Sequence, residues 1–255
     1  MSTTIPSSPE RIFDVMYQCR AIRRFTSEPL SDELLVSLVD AALHGPSGGN
    51  AQNWSFVIVR DPVQKRRLRA VWARAWGFYR STMGASPLRS GETAAERERG
   101  LRAADHLLDH LEEVPALIFV GVMADDGAER RLLSARLLLR HLGVRGTLRF
   151  LGSGQKNSAL SKGATAYPAV QNLLLAARAL GLGAVMTTQH FFVPGEFEKV
   201  LELPKAFTLA AIVPVGWPAV KLGPTRRPDP RSFISWDRWG QTSSQYPGEP
   251  GGSQR

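Results

Sequence analysis

The stretch Tyr167–Leu180 (YPAVQNLLLAARAL) constrains the fold more than any other part of the chain. Val170, Leu173, Leu174, Ala177 and Leu180 recur at helical spacing, so this helix carries an apolar face that must be buried. Gly181 follows as a C-cap, and a strand is predicted from about Ala184. A second helix is capped by Ser31, carries Leu34, Leu35, Leu38, Val39 and Ala42 on one face, and stops at Gly45-Pro46. Ser8-Pro9 opens a shorter one with Ile12, Phe13, Met16 and Tyr17 aligned, which runs out near Cys19-Arg20.

Strands are predicted at Trp54–Val59, Ala116–Val122 and Thr208–Val215, with helices at Pro62–Tyr79, to about Glu113, within Glu129–Arg149 and near Gly195–Leu201. Gly152–Gly163 reads as a flexible linker, and Met83–Glu92 as a loop. Helices dominate and do not alternate regularly with strands. That predicts an α+β fold rather than a doubly wound parallel one.

With 255 residues, 43% of them hydrophobic, the chain can bury a sizeable core. One domain is predicted over 9–240, between Pro/Gly/Ser-rich or polar tails at 1–8 and 241–255 that read as disordered. Cys19 is the single cysteine, so no intramolecular disulfide can form. No apolar run is long enough to span a membrane, and no signal peptide is read, so the expected location is the cytoplasm.

Lysine and arginine exceed acids by 32 to 23, a net charge of +9, and most of the cations are arginines. Such a surface attracts phosphates in nucleic acids, nucleotides or flavins alike. The basic stretches Lys65–Arg69 and Arg130–Arg149 lie in a region interspersed with acids and lack any nucleic-acid-binding signature. Solvated helix faces are the plainer account of them, and no nucleic-acid partner is expected. Gly45–Gly49 matches the G-x-S-x-G pattern, but it lies between a helix and a strand, the reverse of a hydrolase elbow. His106 and His110 have a metal-ligand spacing, yet Asp105 and Asp109 beside them suit a solvated face.

Four segments carry the sharper signal. Cys19–Thr26 (CRAIRRFT) packs three arginines into five residues, whose guanidinium groups suit a phosphate. Pro46–Trp54 (PSGGNAQNW) combines glycines that allow close backbone approach with amides able to read a heterocycle edge. Gly181–Thr188 (GLGAVMTT) closes the apolar helix, and PVGWP at 214–218 precedes Arg226-Arg227-Pro228.

In this order and at these separations, from about Arg11 to Gly240, the four segments resemble the FMN-dependent nitroreductase family. The resemblance implies a central, mostly antiparallel sheet flanked by helices, in an intertwined homodimer with FMN at the interface. It assigns Arg20, Arg23 and Arg226 to the FMN phosphate, with Arg24 or Arg227 as support. Pro46, Ser47, Gly48 and Asn50, and more weakly Gln52, fall in the loop at the flavin ring, often supplied by the partner subunit. Met186, Thr187 and Thr188 fall on the run facing the flavin N5 and pyrimidine side.

Two positions depart from the pattern: Ala21 stands where the family often has serine, and Cys19 where many members have a basic residue. The region 83–163 is expected to cover the pocket and set the substrate range. Ser235–Gly240 suits a segment wrapping the partner, although its tryptophans would equally suit a core. The implied activity is NAD(P)H-dependent reduction of nitroaromatic or quinone-type small molecules, with ping-pong hydride transfer through FMN. NADPH and NADH stay open, the positive charge favouring NADPH. A non-catalytic flavin- or nucleic-acid-binding protein, a flavin reductase, a dehalogenase and a flavin-destroying enzyme are the alternatives.

Overall fold

The computed structural model describes residues 9–89, 91–124, 135–221, 223–225 and 227–241. Helix α1 (Pro9–Gln18) and α2 (Asp32–Leu43) precede strand β1 (Trp54–Val59). Helices α3 (Pro62–Ala85) and α4 (Ala94–Asp109) lead to β2 (Ala116–Met123). Helices α5 (Ala135–Gly152) and α6 (Gly154–Ala179) are followed by the two-residue β3 (Gly183–Ala184), a short α7 (Glu196–Val200) and β4 (Phe207–Gly216).

The strands form one sheet in the order β1-β2-β4-β3, antiparallel throughout. Its two faces are both covered. Leu117 and Phe119 of β2 meet Leu68, Trp72 and Trp76 of α3 and Leu107 of α4. Ile118 and Val120 meet Leu38 of α2 and Val170, Leu173 and Ala177 of α6. Strand β4 carries an irregularity opposite Val120/Gly121, where Ala210 is the extra residue. Below it Phe207 and Leu209 face the α3 layer; above it Ile212 does, and Ala211 and Val213 face α6. One inserted residue has flipped the alternation.

Local chemistry sets the boundaries. The Ser31 side chain accepts from Leu34 N–H, Asp61 caps α3, and Thr93 and Glu96 form a reciprocal capping box on α4. After α6, Gly181 adopts φ 79°, its N–H bonds Arg178 O, and Leu182 N–H bonds Ala177 O. This is a Schellman ending, and it delivers the chain straight into β3.

Three sequence expectations are corrected. The stretch predicted as a linker, Gly152–Gly163, is helical: Gly152 ends α5, Ser153 is a single break, and Gly154–Gly163 opens α6. Of the glycines expected to interrupt the preceding helix, Gly143 does so with φ 63°, whereas Gly146 is helical. Helix α3 runs on to Ala85, through the start of the predicted loop. The tail 1–8, most of the tail 241–255 and the start of the predicted 129–149 helix lie outside the described residues.

Candidate functional site

Residues 20–26 run as an extended ribbon wedged between β3 and the end of β4. Ile22 N–H donates to Ala184 O at 3.0 Å, and Thr26 N–H to Trp217 O at 2.9 Å. Ala219 N–H returns a bond to Arg24 O at 3.0 Å. Gly183 makes room for the ribbon, because a Cβ there would lie 2.6 Å from Ile22 Cγ2. The arginine motif is therefore held by backbone bonds, and its side chains are left to other tasks.

Beyond Ala184 the chain continues along β4 with a defect. Thr187 and Ile212 exchange both backbone hydrogen bonds at 2.9 Å, and Val185 N–H donates to Pro214 O at 3.2 Å. Pro214 has no N–H to return, so Val185 O lacks its ladder partner. Met186, the residue between, points its N–H and C=O away from β4 by the alternation of an antiparallel ladder. Neither group has a hydrogen-bond partner among the described residues. An edge of open donors and acceptors thus lies beside the arginine ribbon.

Two cavities flank this edge. The first, about 460 Å³, lies under α3 and α4 and takes in Arg23 and Val185–Gln189, with Trp72, Trp76, Tyr79 and Phe192 as aromatic walls. Arg23 is half-buried there; burial lowers its pKa, opposed by the facing Tyr79. Gln189 Oε1 is buried without a partner. The second cavity, about 390 Å³, lies where α1, α6 and the segment after β4 meet, and includes Cys19, Arg20, Arg178 and Lys221. Arg20 and Arg23 therefore open onto different cavities of one chain. Ala21 bridges to Ala184 between them and brings no hydroxyl. Burial raises the Cys19 thiol pKa, with Arg178 pulling it back.

The wall over the larger cavity is tied by one side chain. Arg97, nine-tenths buried, donates to Met83 O, Ser86 O, Pro87 O and Glu92 Oε2 at 2.5–3.2 Å. It binds the end of α3 and the loop after it to α4. Trp76 Nε1 donates to Asp105 Oδ1 at 2.7 Å, and Arg80 pairs with the same carboxylate at 3.1 Å. Asp105 is thus engaged in the wall rather than solvated as expected. His106 is half-buried, its pKa lowered by burial and then by His110 and Arg24, while His110 is exposed. Of the region 83–163, Met83 to Leu107 supplies this wall, whereas no described residue of α5 lines either cavity.

His190 ties the segment after the edge to β4: its Nε2 bonds Leu209 O at 3.1 Å while Nδ1 is buried without a partner. Burial lowers its pKa to about 4, so the ring is neutral near pH 7.

The loop Pro46–Gln52 lines neither cavity. It is nevertheless tightly built. Ser47 Oγ accepts from Gln52 N–H, Gln52 Nε2 donates to Asn50 Oδ1, and Gly48 N–H reaches Thr165 Oγ1 at 3.4 Å. Asn50 (φ 54°) and Gln52 (φ 49°) are both left-handed, unusual for non-glycine residues, beside Gly49 at φ 58°. Arg227 lies in the segment after β4, and Arg226 lies outside the described residues. Trp239 is 98% exposed, so it belongs to no core of the single chain.

The sequence marks none of Arg97, Arg178, His190, Gln189 and Lys221. None sits in a motif; the fold brings Arg97, Gln189, Arg178 and Lys221 to the cavities and buries His190 against Leu209 O. No helix among the described residues is long and apolar enough to cross a membrane, and no cluster of metal-ligating side chains appears among them.

The chain is 30% identical over 217 residues to a NADH dehydrogenase of Thermus thermophilus, covering 85% of this chain and 91% of the relative. It is 28% identical over 208 residues to an iodotyrosine deiodinase of Thermotoga neapolitana, covering 81% and 88%. Among solved structures it superposes on Bacillus megaterium NfrA2 with a TM-score of 0.61, at 19% identity, over 90% of this chain and 75% of that one. An oxidised iodotyrosine deiodinase bound to FMN and 3-iodo-L-tyrosine superposes with a TM-score of 0.58, at 24% identity, over 86% and 95%. The family model described as the nitroreductase family matches residues 17–217, which take in the arginine ribbon, the open edge and the whole sheet, and the chain belongs to that family.

Proposed function

We propose that the chain is an FMN-dependent oxidoreductase that takes hydride from NADPH or NADH and delivers it to nitroaromatic or quinone-type acceptors, the two substrates using one site in turn. The open backbone N–H and C=O of Met186, in the cavity that Arg23 also lines, are the observation that carries this reading. An N–H and C=O left unpaired next to a cation, with the buried Gln189 Oε1 nearby, match the mixed donors and acceptors along the edge of a flavin ring. The residues fit the group.

When bound, FMN supplies the hydride chemistry at its N5. The protein's share is positional and electrostatic. Met186 N–H and C=O, which point away from β4, read the ring edge, with Thr187 and Thr188 continuing the same run. Arg23 places positive charge where added electrons accumulate, and burial strengthens that interaction. Trp72, Trp76, Tyr79 and Phe192 exclude water and offer faces for a planar acceptor. No side-chain nucleophile is required.

The site is completed in this reading by a second copy. Ser47, Asn50 and Gln52 are ordered yet meet neither cavity of their own chain. Ile12, Phe13, Met16 and Tyr17 of α1 are all exposed. A homodimer that buries those apolar groups, and that the segment ending at Trp239 wraps, accounts for both.

Absorbance of the purified protein tests the reading. Flavin bands should bleach with anaerobic NADPH or NADH and recover on adding a quinone or nitroaromatic. A colourless protein that stays colourless with added FMN would overturn it. The deiodinase relatives favour reductive dehalogenation as a second reading; turnover of 3-iodo-L-tyrosine in place of quinones would select it.

A further inference from the structure

We propose that α5 is a docking surface for an anionic lipid bilayer, on which the helix lies without crossing. The inference is independent of the flavin reading, because no described residue of α5 lines either cavity.

Helix α5 is two short helices joined at Gly143, whose φ of 63° and ψ of −179° only glycine adopts readily. Both halves share one layout. Leu139 and Leu142 before the break, and Val144, Leu148 and Leu151 after it, recur at helical spacing and are 47–66% exposed. Arg136 and Arg140 stand beside the first stripe and Arg145 and Arg149 beside the second, each pair one turn apart. Leu138 and Thr147 are buried, so one side of the element is anchored while its apolar stripe is left to solvent.

Five large aliphatic side chains on one short element call for a covering partner. The charge pattern says which. No acidic residue occurs between Ala135 and Gly195, and none of the four arginines makes an ion pair among the described residues. A second copy meeting α5 face to face would set arginine against arginine. Helix α1, the other exposed apolar element, includes Glu10 and Asp14 and so has the mixed charge of a surface made for protein. Exposed leucines flanked by arginines alone fit phospholipid. The aliphatic groups enter the acyl boundary, and the guanidinium groups reach the lipid phosphates.

Co-sedimentation of the full chain with vesicles tests this, using phosphatidylcholine alone and phosphatidylcholine with about 30% phosphatidylglycerol. Binding is expected to the mixed vesicles and not to phosphatidylcholine alone. Arg145→Gln with Arg149→Gln should weaken it roughly 25-fold, at about fivefold per arginine. Leu148→Ser with Leu151→Ser should weaken it roughly tenfold or more. Arg66→Gln with Arg67→Gln removes the same charge from exposed positions of α3 and should leave binding within about twofold. Failure to bind the mixed vesicles, equal binding to both vesicle types, or equal losses in the α3 and α5 arginine variants would overturn the proposal. So would a leucine variant that keeps full vesicle binding, or one that turns a dimer into a monomer in light scattering, which would give the face to a second copy. Every substituted side chain is exposed, so the fold does not depend on it.

Discussion

Gly183 packs so closely against Ile22 that a Cβ on the glycine would stand 2.6 Å from the isoleucine's Cγ2 and 2.9 Å from its Cβ. Its φ is not in the left-handed region, so the requirement is one of space alone. The contact sets the distance between the arginine ribbon and the strand whose continuation forms the open edge.

Gly183→Ala should therefore push the ribbon off β3. A loss of about 1–3 kcal/mol is expected from overpacking, together with a lower flavin content per protein. Chemical denaturation and the ratio of flavin to protein absorbance check it. Adding Ile22→Ala should recover part of the loss, and a double variant no better than the single would show that the contact is not the cause.

Arg97→Lys keeps a cation in the cavity wall but loses the planar fork that serves four acceptors. About 2–4 kcal/mol of destabilisation is expected, with protease cleavage concentrated at residues 86–92. An unchanged digestion pattern would argue against the tie.

Lys65 is buried on α3, and its Nζ donates to Glu112 O and Val114 O, both at 2.7 Å, ahead of β2. Lys65→Met leaves both carbonyls unpaired, at a cost of about 1–3 kcal/mol. The flavin spectrum of the folded fraction should not move, since Lys65 lines neither cavity. A shifted spectrum would mean that the α3–β2 junction is coupled to the site.

His190 makes stability depend on pH with a defined sign. Its folded-state pKa of about 4 lies below the ordinary 6.5, so the unfolded chain takes up a proton that the folded chain refuses. The stability is fully present above pH 6.5 and is lost as pH falls toward 4. The physical cause is that Nε2 already donates to Leu209 O, so protonating Nδ1 would bury an N–H with no acceptor. The loss should approach about 3 kcal/mol, and His190→Gln should flatten that part of the profile in denaturation measured across this range. An equally steep profile in the variant would assign the slope to other groups.

Much of the architecture is legible in the residues. Ser31, Gly181 and the apolar run in Trp54–Val59 place their elements because caps, left-handed turns and short β-favouring runs are local physics. The misreading of 152–163 has a physical source. Glycine, serine and asparagine there carry little helix propensity of their own, yet the segment is the opening of a helix whose later turns are fixed on the sheet by Ala169, Val170 and Leu173.

The sequence by itself determined the family, the α+β class and the segments that form the arginine ribbon and the strand run after Gly181, because those depend on short-range patterns in a fixed order. Only the tertiary structure decided where the side chains of those segments point. Arg20 and Arg23 are three residues apart, but the ribbon between β3 and β4 turns them onto different cavities. Arg178 and Lys221 join Arg20 across long stretches of chain with no motif to mark them. The unpaired carbonyl at Val185 exists because a proline 29 residues later lies opposite it. Such relations arise from packing between distant segments, which no local pattern encodes.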